Sequence, residues 1–370
     1  MIPLLYDADH DLTGYYPAVG SIGRLSDVIS CVITEELNGL YELTITYPVN
    51  GICIADLMRP CMIAVARPYA DGNELKRELA WFDVYKRTFD GNVVTISAYH
   101  ISYRLGKIAV ARVPNATWLD GALASIAQNS FPSNTLFTIT TDSNSDPSVH
   151  PGTFYSTEVK TFREYLFDDN YSCVKVYGVE AVYHGTFINL ITQRGADRGA
   201  EIRYGKNLTS GNIDKDETET YNAIYPYWKK QDTLVLSDTL VYPTPQLTPV
   251  KALPIDFTNY FETQPTRADL KSLAAQYLSD FQPWLARETA SITFSPEWYQ
   301  GNAVKEIIDL GDTVTVFYGD ADLAGEKMRV VRVKYDCLLE EFTEYTLGEL
   351  QKGYAVTSRD GISATKQFMA

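Results

Sequence analysis

The stretch Cys31-Val-Ile-Thr-Glu-Glu-Leu-Asn-Gly-Leu-Tyr-Glu-Leu-Thr-Ile-Thr-Tyr47 places two runs of residues on either side of Asn38-Gly39. In the second run Leu43, Ile45 and Tyr47 alternate with Glu42, Thr44 and Thr46, so an extended chain would be apolar on one face and polar on the other. Asn-Gly between such runs is a strong hairpin signal, because both residues accept positive φ. The logic recurs where Trp81 to Thr88 and Asn92 to Tyr99 flank Asp90-Gly91. Two hairpins within the first 110 residues predict a small antiparallel barrel or sandwich.

Beyond residue 110 the pattern becomes mixed. Thr117 can cap a helix running to Gln128 with Leu119, Ala122, Leu123 and Ile126 on one face. Thr161 and Glu164 have capping-box spacing, with Val159 and Tyr165 as a hydrophobic staple, which predicts a short helix to Phe167. Ser172 to Tyr177, Glu180 to His184 and Phe187 to Gln193 read as a meander turning at Gly178 and at His184-Gly185. The polar stretch 141–152 reads as a loop, and Tyr221 to Lys230 as β-rich, followed by a proline-bearing connector at 242–249. Arg267 to Phe281 carries Leu270, Leu273, Ala274, Tyr277, Leu278 and Phe281 at helical spacing, with Pro283 marking its end. Strands return at Thr313 to Tyr318, Lys327 to Tyr335 and Phe342 to Leu347.

The predicted fold class is therefore α+β and multidomain, with two small antiparallel β-barrel-like domains and an inserted α/β region. Residues 1–110 form the first barrel, 111–205 plus 251–295 the insertion, 206–250 plus 296–350 the second barrel, and 351–370 a C-terminal tail. A chain of 370 residues agrees with two or three domains at about 150 residues each.

Composition excludes several function classes. Hydrophobic residues at 45% and charged residues at 21% describe a chain able to bury a core. A net charge of −15 repels phosphate backbones, so a dedicated DNA-gripping role is disfavoured. Cys31, Cys53, Cys61, Cys173 and Cys337 are odd in number and include no CxxC pair, so they read as reduced, mostly buried thiols and not as a zinc site or disulfide framework. The N-terminus lacks a basic, then apolar, secretory pattern, and no apolar run approaches the roughly 18 residues of a membrane span, so no membrane insertion is expected. The expectation is a product made soluble in a reducing cytoplasm.

No stretch presents a recognised chemical motif. His10, His100, His150 and His184 are scattered and form no HxxxH or HExxH pairing, so structural roles are expected of them. Asp7, Asp9 and Asp11 alternate like a calcium loop, but the sixth and twelfth places hold Leu12 and Ala18 where Gly and Glu are needed. The acidic run 214–219 reads as a solvated loop. Arg194, Arg198, Arg203 and Lys206 form a local basic patch, read as a strand edge guarded by charge or a surface for a carboxylate-rich partner. Catalytic, cofactor-binding and metal-ligating residues are accordingly expected to be none, and cofactors none. With 26 Tyr against 15 Phe and 5 Trp, the aromatics suit strand packing and interfaces more than a sugar platform.

Four segments taken in order, Glu35 to Pro48, Ser97 to Tyr103, Gln193 to Leu208 with Tyr221 to Lys229, and Leu310 to Val316, resemble the N-terminal region of phage and prophage tail-tip proteins. These are the prophage endopeptidase tail, or tail-associated minor structural, proteins, similar in fold to the contractile-phage baseplate hub. The resemblance implies a virion tail-tip or baseplate component assembled in the bacterial host cytoplasm. It implies a homotrimer whose two barrels per chain make a pseudo-sixfold ring. Implied partners are the distal tail protein and tail tube, the tape-measure protein, and receptor-binding or fibre proteins, with DNA passing the lumen unbound. Longer members carry a peptidase or glycan-cleaving module after this region, and no such module is expected here. A tail-tip peptidoglycan hydrolase and an adhesin binding wall polysaccharide stand as the alternative readings.

Overall fold

The computed structural model describes residues 2–348 apart from 13–19, 73, 144–149, 151–152, 157, 169–171, 204–207, 217–220, 231, 243–247, 259–260, 262, 282–288, 297–306 and 319–322. Lys206, Ala18, Pro283, the end of the acidic run, the middle of the proline-bearing connector and the C-terminal tail lie outside the described residues.

The protein is mostly β, with several sheets and a minority of helix, which is consistent with the expected α+β multidomain class. The expected first hairpin pairs Ser30–Glu36 with Tyr41–Pro48 in the register Cys31↔Ile45 and Glu35↔Tyr41. Its loop is one residue longer than a two-residue Asn-Gly turn: Glu36 N donates to Leu40 O, and Gly39 N to Glu36 O. Only Asn38 of the pair takes positive φ, at 59°. The second hairpin pairs Glu74–Asp90 with Val93–His100 and closes at Gly91, φ 56°. A further long hairpin, Cys61–Asp71 with Glu74–Asp90, runs ten pairs from Met62↔Asp83 to Asp71↔Glu74.

These strands do not close by themselves into a unit separate from the end of the chain. Leu323–Asp336 lies antiparallel against Ser30–Glu36, from Arg332↔Glu36 to Asp336↔Val32. The result is a thirteen-stranded sheet running from Leu208–Asp216 through Thr289–Pro296, Glu341–Gly348, Leu323–Asp336 and the first hairpins to Leu4–Asp7 and Gly23–Arg24. Asp197–Arg203 joins it through Thr313–Tyr318 in parallel. One apolar cluster, containing Leu43, Ile45, Ile96, Val316, Val333 and Leu347, fills the interior shared by both ends of the chain.

The strands Leu4–Asp7 and Cys61–Asp71 are buried on both faces. Leu5, Ile63 and Val65 point into the first cluster, while Leu4, Tyr6, Met62 and Ala64 point into a second. That second cluster belongs to the middle region, where Leu119–Gln128 buries Leu119, Ala122, Leu123 and Ile126, the face expected from the spacing. Trp118, not Thr117, is the residue preceding this helix. The capping box of Phe162–Phe167 forms in full, with Thr161 Oγ1 accepting from Glu164 N and Glu164 Oε2 accepting from Thr161 N. The staple does not, because Val159 is 74% exposed while Tyr165 is buried.

One expectation is corrected. Ser172 to Tyr177 is no strand: Cys173–Tyr177 is a short helix ended by Gly178 in the left-handed region at φ 63°. Its β-branched Val174 and Val176 are buried together with Cys173 and Tyr177, so burial on both flanks erased any period in the pattern. The remaining two segments do form a hairpin, Glu180–His184 with Phe187–Ile191, whose third strand is Thr138–Thr141 in parallel. The expected β-rich segment is the strand Ala223–Lys230, which belongs to a separate small sheet. It pairs with Ala252–Asp256 and Thr233–Leu236, and the helix Arg267–Phe281 covers this small sheet through Leu270, Ala274, Tyr277 and Leu278.

Gly195 and Gly311 show how closely chain segments approach at the sheet's middle. A Cβ on Gly195, φ 79°, would sit 2.3 Å from the Gly311 carbonyl carbon, and one on Gly311, φ 89°, would sit 2.6 Å from the Arg194 carbonyl oxygen. Both the left-handed backbone and the contact exclude a side chain. Gly195→Ala is expected to destabilise the protein by at least about 3 kcal/mol, read as a lowered midpoint in urea with an unchanged slope.

Candidate functional site

The segment around Gly195 and Gly311 carries a buried cluster of charges drawn from three parts of the chain. Glu35 lies near the end of Ser30–Glu36, Arg67 lies in Cys61–Asp71, Glu180 and Arg194 bracket the middle hairpin, Asp309 and Asp312 precede Thr313–Tyr318, and Arg329 lies in Leu323–Asp336. Arg67 is 3% exposed, Glu35 1%, Asp309 5% and Asp312 2%. At such burial an unpaired charge would cost several kcal/mol, so the partners decide whether the cluster is tolerable.

Every one of these groups is paired. Arg67 sets Nε 2.9 Å and Nη2 2.7 Å from Glu35 Oε2, and donates from Nη1 and Nη2 to Asp309 at 3.2 and 2.9 Å. The other oxygen of Glu35 accepts from Arg194 Nη1 at 2.7 Å. Arg329 grips Glu180 with both terminal nitrogens, at 2.7 and 3.0 Å, and Nη2 also reaches Arg194 O at 2.6 Å. Asp312 accepts from Ala196 N and Asp309 N, each at 2.8 Å, and its carboxylate meets Arg198. Arginine suits this role because its planar fork engages two carboxylates at once.

The local field follows from these contacts. Burial acts to lower the Arg67 pKa, but the Asp309 and Glu35 carboxylates outweigh it and hold the group well above its ordinary value. Burial likewise acts to raise Asp309, and the charges of Arg67 and Arg194 overcome it to give a depressed value. At Asp312 burial wins and the pKa is raised, despite two backbone donors and Arg198. A cleft of about 230 Å³ opens beside the cluster, with Tyr69 and His184 among its lining residues. With each carboxylate holding an arginine, the arrangement acts as a clasp joining three chain segments and leaves none of these groups unpaired for proton transfer.

A second junction lies next to it. His100 is buried, stacked on Tyr41 with centroids 4.3 Å apart, and edge-on to Phe82 and Tyr183. Its Nδ1 accepts from Ser102 N at 3.3 Å, capping the 3₁₀ turn Ile101–Lys107, so Nδ1 is unprotonated. Burial, with the charge of Arg163, pushes its pKa down to about 3. On the surface Tyr85, Tyr99 and Tyr103 stack at 4.0 and 4.3 Å, and the Arg163 guanidinium lies 3.5 Å over the last ring. This ladder ties the first sheet to the helix Phe162–Phe167. A β-bulge between Val84 and Lys86 sets Tyr85 in place for it.

The structure therefore relocates several residues singled out by sequence. Arg194 and Arg198 are not an exposed patch but members of the buried cluster, while Arg203 pairs with Glu201 and covers the Phe317 ring at 3.5 Å. His150 is buried against Asp142, and His184 meets Glu78 at 2.9 Å. Asp7, Asp9 and Asp11 are exposed at the end of the first strand. Among the described residues no group of three or more His, Cys, Asp or Glu could hold a metal ion, and no helix is long and apolar enough to cross a membrane. All five cysteines are buried, and none forms a disulfide. Sequence reading assigned no role to Glu35, Arg67, Glu180, Asp309, Asp312 or Arg329, although Glu35 and Asp312 lie in segments that carry the resemblance.

No protein-family model and no curated protein matches the chain. Solved structures do. The crystal structure of prophage tail protein gp18 from Listeria monocytogenes EGD-e superposes with a TM-score of 0.62 at 15% identity, covering 98% of each chain. The chain has the fold of prophage tail proteins. The 43 kDa tail protein of prophage MuSo2 from Shewanella oneidensis matches at TM-score 0.56 and 13% identity, over 94% of this chain and 98% of that one. A tail protein from Neisseria meningitidis MC58 gives 0.55 at 12% identity, over 99% and 98%. At such identities the likeness is one of fold, and it agrees with the tail-tip resemblance carried by the sequence segments.

Two outcomes are expected from these junctions. Arg67→Met leaves Glu35 and Asp309 short of their main partner and should cost about 3–5 kcal/mol, seen as a large fall in Tm. His100 stays neutral when folded but takes a proton below about pH 6.5 when unfolded, so folding stability should decline as pH falls from there towards about 3. In His100→Asn, which keeps an acceptor for Ser102 N, that decline should be shallower by about 1.4 kcal/mol per pH unit, measured by urea titration at several pH values.

Proposed function

We propose that the protein is a non-catalytic structural component of a phage or prophage tail, acting as the hub of the tail tip. The observation that carries this reading is the end-to-end correspondence with a prophage tail protein, 98% of both chains, with no large segment of either chain left outside the shared fold. Three tail proteins of different bacterial origin share that correspondence.

In this reading three copies assemble into a ring in which two barrel-like halves of each chain, continuous through the large sheet, alternate around a lumen. The ring joins the tail tube and distal tail protein on one side to the receptor-binding or fibre proteins on the other, with the tape-measure protein and then DNA passing through. Supporting it is the net charge of −15 per chain, which would let a polyanion pass without binding. The charge clasp fits the same role, since a ring under load during ejection needs its domains fixed relative to one another.

Light scattering of the purified chain should give about 125 kDa, three times 41.5 kDa, and averaged electron micrographs should show a ring with threefold symmetry. A monomer at high concentration that is also absent from purified tail tips would sink this reading.

A further inference from the structure

Cys31 and Cys337 come from opposite ends of the sequence and meet across one ladder. The pairing of Leu323–Asp336 with Ser30–Glu36 runs to Asp336↔Val32, and one further step sets Cys337 opposite Cys31. Cys337 N donates to Cys31 O at 2.8 Å, continuing the ladder whose other end has Leu37 N donating to Val331 O at 2.9 Å. Opposed residues at such hydrogen-bonded positions have Cα atoms about 5.5 Å apart. Disulfides span about 4.4–6.8 Å between Cα atoms, so the backbone already holds the required separation. Both side chains face the same apolar cluster, with 0% and 2% exposure.

We propose that Cys31 and Cys337 constitute a latent disulfide site, closed by a low-molecular-weight disulfide acting as oxidant. One cysteine thiolate attacks a sulfur of the reagent, whose S–S bond breaks and releases one thiol. The second cysteine then attacks the mixed disulfide at the protein sulfur and releases the other. Two protein thiols lose two protons and two electrons, and the reagent is reduced to two thiols. Contact with the Cys337 side chain, and burial, hold the Cys31 thiol well above its ordinary pKa, so the pair resists casual oxidation and reacts slowly.

The bond would join Ser30–Glu36 to the residue after Leu323–Asp336, enclosing about 300 residues of chain. It would secure the seam between the two ends of the protein independently of the charge clasp.

The test is incubation of the full chain with excess oxidised glutathione, alkylation in denaturant and mass spectrometry after non-reducing digestion. The expected result is loss of two of the five thiols, one peptide pair linked through Cys31 and Cys337 and lighter by two hydrogens than its parts, and a raised Tm that reductant reverses. Cys31→Ala and Cys337→Ala should each abolish the linked pair. Survival of all five thiols, glutathione left attached at either position, or a bridge between other cysteines would each overturn the proposal.

Discussion

Three arginine forks closing on buried carboxylates are the constraint on which the arrangement of this protein depends. Arg67 alone joins Glu35 of the first hairpin to Asp309 before the last strands, and Arg194 and Arg329 draw the middle hairpin into the same cluster. Buried ion pairs add little net stability over an apolar replacement, but they penalise every arrangement in which one partner is missing. The cluster therefore works as a specificity device. A slip of any of its three segments would strand a charge in the interior, whereas a purely apolar seam would tolerate sliding.

The geometry around the clasp explains why glycine stands at Gly195 and Gly311. The carbonyl oxygens of Arg194 and Gly311 both accept from Arg329, so the two loops must come within backbone contact for one guanidinium to serve both. Thr313 N donating to Ala196 O then starts the parallel pairing of Asp197–Arg203 with Thr313–Tyr318. A parallel pair with little else to fix its register thus inherits it from the charge cluster. Asn38 adds an uncharged version of the same device: its side chain donates to Val179 O and accepts from Ala181 N, pinning the hairpin loop to the middle region.

Much of the local structure was legible, and the failures have physical causes. Alternation in Leu43, Ile45 and Tyr47 disclosed a strand because one face is core and the other is not. The capping box at Thr161 and Glu164 was legible because it is a contact between neighbours in sequence. The Cys61–Asp71 hairpin was not, since burial on both faces removes alternation from one arm and charges in Glu74–Glu78 imitate a helix surface in the other. The clasp was invisible because a strand Arg meant for solvent and one meant for a buried carboxylate look the same until the partner is known. Arg194 was noticed for its basic neighbours, Arg198, Arg203 and Lys206, which suggested a surface and so the wrong environment. Three of the segments carrying the tail-tip resemblance, those beginning at Glu35, Gln193 and Leu310, nevertheless converge at the clasp. Those three motifs, scattered in sequence, meet at one structural junction.

The clasp also changes the meaning of the acidic balance. Glu35, Glu180, Asp309 and Asp312 are matched by Arg67, Arg194, Arg198 and Arg329, so burial removes equal numbers of each sign and the whole excess of −15 remains for the surface and the undescribed segments. Copies of such a chain repel one another at long range, and the repulsion fades over about 8 Å at physiological salt. Any contact between copies would therefore have to be driven by short-range forces. Apolar groups exposed at one end of the first hairpins, Ile29, Ile52 and Phe89, and the exposed Tyr85 at the end of the tyrosine ladder are surfaces of that kind.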